Sequence, residues 1–236
     1  MMKEAFSAWA PTIDRLRPSP DVSVAEKVSV LRALELEPGG PSIDLGCAVG
    51  MWTAAAARLG YVAEGVDFSP EMVARAEELF PDSTFLEGDV MALEPCGKYQ
   101  LVTAMGNHVT YHADLIAFMQ VVRGLLAPDG VALIALQDFA PRLAHGAGNY
   151  LPAPFIVNHP DGTETIVVER RRFTDPEARA MSVEFHMLPS EAPAASIRYT
   201  GWAWTLKDVK AAAEEVGLSG AWCHPVKYMP VLKLTR

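Results

Sequence analysis

Between residues 22 and 36, Val24, Val28, Leu31 and Leu34 recur every three or four positions, which is the spacing of one buried helix face. The run stops at Glu37-Pro38-Gly39-Gly40, where a helix cannot continue. An earlier segment, residues 3–17, sets Phe6, Trp9, Ile13 and Leu16 along one face and is closed by Pro18 and Pro20. After Gly40 the rhythm changes, and short apolar runs of strand length alternate with helical runs. Strands are predicted over Pro41 to Leu45, Tyr61 to Val66, Thr84 to Leu86, Gln100 to Met105 and Val131 to Leu136. Helices are predicted over Met51 to Leu59, stopped by Gly60, over Pro70 to Phe80 behind Ser69, and over Asp114 to Leu126 before the turn Ala127-Pro128-Asp129-Gly130. Five strands in this rhythm, with short connections, imply a doubly wound parallel sheet.

From Asp138 to about Ser196 the alternation breaks. Prolines and glycines come first, then strands over Thr165 to Phe173 and Ala180 to Leu188, joined by the turn Thr174-Asp175-Pro176-Glu177. Tyr199 to Trp204 reads as a third strand, followed by a helix over Leu206 to Val216 and closing strands near Trp222 and over Val231 to Leu234. The expected fold is α/β: a Rossmann-like, doubly wound, mostly parallel seven-stranded sheet with N-terminal helices and an inserted antiparallel β lid. Residues 1–37 are assigned to a helical cap, 38–138 with 205–236 to the ligand-binding Rossmann-like domain, and 139–204 to the lid.

The turn after the first strand, Asp44-Leu45-Gly46-Cys47-Ala48-Val49-Gly50, carries so little side-chain bulk that a ligand can lie against its backbone. A dinucleotide fingerprint requires glycine at Met51, and a phosphate loop requires a Gly-Lys-Ser/Thr ending, so neither fits. The acidic residue followed by small residues at G-x-G-x-G spacing resembles the first motif of the class I S-adenosylmethionine-dependent methyltransferases. Ala48 stands where that pattern has its middle glycine, a replacement that needs ordinary backbone angles. Asp67, 23 residues after Asp44, ends the second strand where Rossmann-type proteins place a ribose-binding carboxylate. Its other reading is an Asp that opens the turn before a helix.

The resemblance implies S-adenosylmethionine as cofactor and S-adenosylhomocysteine as product. It implies that Asp44, Gly46 and Gly50 hold the methionine part, Asp67 the ribose and Asp89 the adenine amino group, with Val90 and Met91 at the ring edges and Met105 or Gly106 facing the methionine end; Cys47, Ala48 and Phe68 are further cofactor contacts. The alternative for Val90 and Met91 is plain core packing. Gly106-Asn107 after the fourth strand and a β-rich insertion after the fifth are similar to the glycine and sarcosine N-methyltransferases and related small-molecule enzymes. A non-catalytic S-adenosylmethionine-binding sensor or scaffold is the rival reading, and a nicotinamide-dependent oxidoreductase is disfavoured by Met51. A cavity left beside the sulfonium favours the enzyme; a lid that fills that space favours the rival.

Composition narrows the acceptor. A net charge of −9 argues against nucleic acid and anionic membrane and toward a small molecule. Three unpaired cysteines, no signal-like apolar start and no spanning apolar run predict a cytoplasmic protein without a metal centre; a homo-oligomer through the lid edges stays open. His108 and His112 follow the fourth strand and are candidates for a general base or for substrate positioning; a metal pair and a structural role are their other readings. Asn107, Tyr111, Arg170, Arg172, Trp202 and Trp204 are candidate substrate contacts. Arg170 and Arg172 share one strand face and Arg171 takes the other, and such a run also suits a solvated face. Trp202 and Trp204 either line an aromatic wall or join the lid to the sheet, and Trp9 either caps the cofactor or packs its own helix on the core.

Overall fold

The computed structural model describes residues 2–13, 19–144, 149–159, 161–175, 177, 179–226 and 229–236. In chain order, α1 (Met2–Ile13) and α2 (Pro20–Ala33) lead to β1 (Pro41–Leu45), α3 (Met51–Arg58), β2 (Val62–Asp67), α4 (Pro70–Leu79), β3 (Thr84–Glu87), β4 (Tyr99–Ala104), α5 (Leu115–Leu125) and β5 (Leu126–Ala135). The chain continues through α6 (Ala140–Ala144), β6 (Asn149–Tyr150), β7 (Phe155–Asn158), β8 (Glu164–Asp175), β9 (Ala180–Pro189), β10 (Ala195–Trp202), α7 (Leu206–Glu215), β11 (Ser219–Val226) and β12 (Met229–Thr235).

Seven strands form one sheet in the order β11-β12-β5-β4-β1-β2-β3. β3, β2, β1, β4 and β5 run parallel, whereas β12 pairs antiparallel with β5 and β11 antiparallel with β12. Leu101, Val102, Leu133 and Ile134 are fully buried, as strands covered by helices on both faces require. Helix starts are set by short polar side chains. Ser69 Oγ accepts from Met72 N at 3.2 Å, Asp114 Oδ1 from Ala117 N at 2.9 Å, and Thr205 with Asp208 closes a capping box on α7.

Two expectations are corrected. Pro20 does not close the first helix: it is the first residue of α2, with Ser19 Oγ accepting from Val22 N at 3.3 Å, because a missing N–H costs nothing at that position. α1 is described over Met2–Ile13, and Leu16 and Pro18 lie outside the described residues. The turn expected at 127–130 lies inside β5: Tyr99 pairs with Leu126 but Leu101 pairs with Val131, so the strand takes up the extra residues as an irregularity. Gly130 is needed there, since a Cβ would sit 2.6 Å from the Tyr99 carbonyl oxygen.

The second sheet is antiparallel, ordered β10-β9-β8-β6, with β7 also pairing with β8. β8 runs through Thr174 to Asp175, and Asp175 pairs with Ala180 of β9, so the connection falls after Asp175 rather than from Thr174; Pro176 lies outside the described residues. β10 ends at Trp202, which leaves Trp204 beyond the strand. Helix α1 bridges the two sheets: Phe6 packs edge-on to Phe68 after β2 at 5.6 Å and against Tyr199 of β10 at 5.3 Å. No described helix is long and apolar enough to cross a membrane.

Phe118 of α5 is fully buried, and its ring stacks on His112 at 4.4 Å and tilts against His108 at 5.9 Å. Phe118→Ala is expected to cost about 3–5 kcal/mol in urea unfolding with an unchanged m value, because the cavity it leaves lies between the helix and the histidines.

Candidate active site

β1 lies between β2 and β4, so the chain order reverses there, and the loops leaving β1 and β4 open a crevice at the carboxyl ends of the strands. Gly46 N and Cys47 N both donate to Val66 O, at 2.8 and 3.0 Å, folding the loop back onto β2. The Asp67 carboxylate then ties it down, with Oδ2 accepting from Ala48 N at 2.9 Å and Oδ1 from Ser69 N at 3.0 Å. Burial raises the Asp67 pKa, and the backbone donors pull the other way. An ionised carboxylate has about four acceptor positions, so these two bonds leave capacity for a ligand.

Ala48 does not have ordinary backbone angles. Its φ is +48°, in the left-handed region, so the side chain is accommodated at a cost rather than freely. Gly46 has φ +67°, and a Cβ there would meet His108 Nδ1 at 2.1 Å; Gly50, at φ +80°, would meet the Phe85 ring at 2.6 Å. Asp44 sits under the loop, 4% exposed, accepting from Thr103 Oγ1 at 2.7 Å and from Thr53 Oγ1 at 3.2 Å. Desolvation pushes its pKa up to about 7 despite both hydroxyls.

Two cavities open over this floor. One, of about 220 Å³, lies between the loop and the lid; Gly46, Cys47, Ala48, Asp67, Met105, Gly106 and Asn107 line the sheet side, Phe6 and Trp9 the α1 side, and Arg171, Phe185 and Tyr199 the lid side. The other, of about 550 Å³, runs along Glu87, Gly88, Asp89, Val90, Met91 and His112, with Lys3 at its edge. Phe68, His108 and Tyr111 line both and join them. Asp44 and Gly50, assigned to the methionine part from sequence, line neither. Asp89 is exposed, and its Oδ1 caps the short 3₁₀ turn by accepting from Met91 N at 2.9 Å. Asn107, at φ +67°, accepts from Gln137 N at 2.5 Å, which locks the segment after β4 to the end of β5.

The two histidines form a pair, with Nε2 to Nε2 at 3.0 Å. One ring donates and the other accepts, which requires the accepting ring to be neutral. Burial agrees: it lowers the pKa of both rings, that of His112 to about 4. Among the described residues no further His, Cys, Asp or Glu joins them in a group of three.

The lid reverses one assignment. Arg171, not Arg170 or Arg172, faces the cavity: it is 8% exposed, its Nε donates to Glu169, and its guanidinium lies 4.9 Å over the Phe139 ring. Arg170 pairs with Glu184 at 3.7 Å on the outer face, and Arg172 is exposed on that same face. Sequence alternation could not choose, because Ile166 and Val168 are as apolar as Val167 and Phe173 on the opposite face. Neither Trp202 nor Trp204 reaches a cavity; Trp204 Nε1 donates to His112 O at 2.9 Å and so joins the lid end to the β4 segment. Tyr199 lines the wall in their place, its ring edge-on to that of Tyr111 at 5.3 Å, and burial raises both phenols, Tyr111 to about 12. Trp9 takes both of its readings. It lines the cavity, and it also stacks on Phe185 at 5.5 Å and donates to Met187 Sδ at 3.0 Å.

Residues 43–130 match the family described as Methyltransferase domain. The chain is 30% identical over 145 residues to a trans-aconitate 2-methyltransferase from Escherichia coli O1:K1 / APEC, covering 56% of this chain and 52% of that protein. It therefore spans about half the length of the curated relatives it matches. Among solved structures it is similar to the S-adenosylmethionine-bound amino pentose methyltransferase of calicheamicin biosynthesis from Micromonospora echinaspora, with TM-score 0.70, 20% identity, and 92% of this chain and 90% of that one covered. A sugar N-methyltransferase from Streptoalloteichus sp. ATCC 53650 gives TM-score 0.68 at 20% identity, covering 91% and 87%. At these identities the structural likeness is one of fold.

Two expectations follow from the loop and the histidine pair. Ala48→Gly, which relieves a left-handed alanine but loosens the unfolded chain, should leave stability unchanged or raise it by up to about 1 kcal/mol in chemical denaturation, against a loss of that size at an ordinary position. His112 has a folded pKa of about 4 against an unfolded value of roughly 6.5, so the native state binds fewer protons between them; stability is full above about 6.5 and falls as pH drops toward 4. Asp44, raised to about 7, works the other way and favours the folded state more at low pH. His112→Phe keeps the stacking on Phe118, so unfolding free energies at pH 5 and pH 7.5 should show the variant gaining on the parent at the lower pH.

Proposed function

We infer that this chain, by its domain and its fold a class I S-adenosylmethionine-dependent methyltransferase, methylates a small-molecule acceptor held between the Rossmann-like sheet and the antiparallel lid. The observation that carries this reading is the cavity of about 220 Å³ left open between the glycine loop and the lid side chains. Its sheet side suits the cofactor, and its lid side adds Arg171, Phe185 and Tyr199, groups beyond those assigned to the cofactor.

The residues fit the cofactor. Asp67 keeps acceptor positions for ribose hydroxyls, Asp89 stands at the rim of the larger cavity with Val90 and Met91 for the adenine, and nothing lies within 4 Å of a Cβ built at Gly106, so the methionine end has room. Asp44 acts one layer down, holding Thr53 and Thr103 beneath the loop. Held there by Asp67, Asp89 and the glycine loop, S-adenosylmethionine would supply an activated methyl group on its sulfonium to the acceptor's lone pair, with S-adenosylhomocysteine as the product that carries away the carbon–sulfur electron pair.

The chain's own contribution is placement and exclusion of water. Phe6, Trp9, Phe68, Tyr111, Phe185 and Tyr199 give the cavity aromatic walls, which suit a cationic centre. His108 reaches the cavity, but its Nε2 is engaged by His112, and burial makes both rings weak bases. His108 therefore positions the acceptor and the Gly46 backbone rather than driving deprotonation, and an amine acceptor reacts as its free base. The trans-aconitate and sugar methyltransferases similar to this chain act, by their names, on small metabolites, which supports an acceptor of that size.

Incubation with methyl-deuterated S-adenosylmethionine and a soluble metabolite extract is expected to yield a labelled metabolite and S-adenosylhomocysteine; calorimetric binding of the cofactor with no labelled product would move the protein to a sensor role. Asp67→Ala is expected to weaken S-adenosylmethionine binding by about ten- to a hundredfold in the same calorimetry, the size of a lost hydrogen bond to a charged group together with a loosened loop.

A further inference from the structure

The loop and sheet residues assigned to the cofactor do not include Arg171, a nearly buried cation on the lid-side wall of the smaller cavity. Its surroundings hold it rather than use it up. Glu169, two residues earlier on the same face of β8, takes the Nε–H, and Phe139 underlies the guanidinium plane; neither lines the cavity, so both support the group from behind. Glu169 is the acceptor given to Arg171 among the described residues, and a guanidinium carries five N–H donors, so the terminal amino groups remain for a ligand. Tyr111 and Tyr199 line the same cavity, with their rings packed edge-on at 5.3 Å.

A rigid guanidinium fork beside phenol donors is the arrangement that recognises a planar anion. The carboxylate that lines the cavity, Asp67, is tied to the glycine loop on the sheet side by Ala48 N and Ser69 N. One arginine, already half neutralised by Glu169, matches a single negative charge better than a phosphate dianion. We propose that Arg171, with Tyr111 and Tyr199, forms a carboxylate subsite, and that the methyl acceptor is a small carboxylic acid anchored by that group while its nucleophilic atom points toward Gly106. This rests on the methyltransferase reading and names the substrate class within it.

The test uses the full chain with methyl-deuterated S-adenosylmethionine and three acceptor sets of matched size: small mono- and dicarboxylic acids, their primary amides, and phosphate monoesters. Label is expected on acids, with kcat/KM for the matching amide at least a hundredfold lower. Arg171→Gln should raise KM for the acid at least a hundredfold with kcat and cofactor affinity changed only a few-fold, and Arg171→Lys should recover part of the loss. Because Arg171→Gln leaves the half-buried Glu169 without its partner, the double variant Glu169→Gln/Arg171→Gln, which removes both charges, is measured beside it and should show the same KM defect. Equal turnover of acid and amide, label confined to amides or phosphate esters, or an unchanged KM in a folded variant overturns the subsite alone. Cofactor binding without label on any set, or no cofactor binding at all, overturns the methyltransferase reading and the subsite with it.

Discussion

The carboxylate of Asp67 is the point on which the ligand end of the molecule depends. By accepting from Ala48 N and Ser69 N it joins the loop after β1 to the start of α4, and it does so while almost buried. Removing a carboxylate from water is costly, and the two backbone donors offset part of that cost only with the loop in this geometry. The loop geometry in turn forces a left-handed backbone at Gly46, Ala48 and Gly50. Strain at Ala48 is thus held in place by an electrostatic anchor, and the resulting bare backbone forms the floor of the cavity.

A second column of contacts links this floor to the lid. His108 lies against Gly46, His112 pairs with His108, Phe118 stacks beneath His112, and Trp204 at the end of the lid donates to the His112 carbonyl. Each member is neutral, so the column transmits packing rather than charge. Substituting one ring changes how closely the segment after β4 approaches the glycine loop, which is where the two cavities meet.

The acceptor side is built on different terms. α1 supplies aromatic cover through Phe6 and Trp9, and β8 supplies a charge that its own strand partly neutralises through Glu169. Breaking such a buried pair from one side is far more costly than removing both members. The Arg171–Glu169 pair therefore orients the guanidinium without requiring substrate to hold it.

The parallel sheet, the glycine loop and the positions of Asp67, Asp89 and the histidines were all legible in the residues, because each answers a local demand: a strand length, a positive φ, a helix cap or a fixed spacing from the preceding strand. Asp44 was legible as a motif residue, but its place beneath the loop depends on Thr53 and Thr103, which reach it from α3 and β4. Pro20 reads equally well as a stop or a start until Ser19 is seen to cap α2. The choice of Arg171 over its two neighbours, of Tyr199 over Trp202 and Trp204, and of α1 as a wall of the cavity came only with the tertiary structure. Local sequence encodes backbone preference and periodicity, but both faces of the lid strands carry apolar residues, so only packing against α1 and the sheet decides which face looks inward.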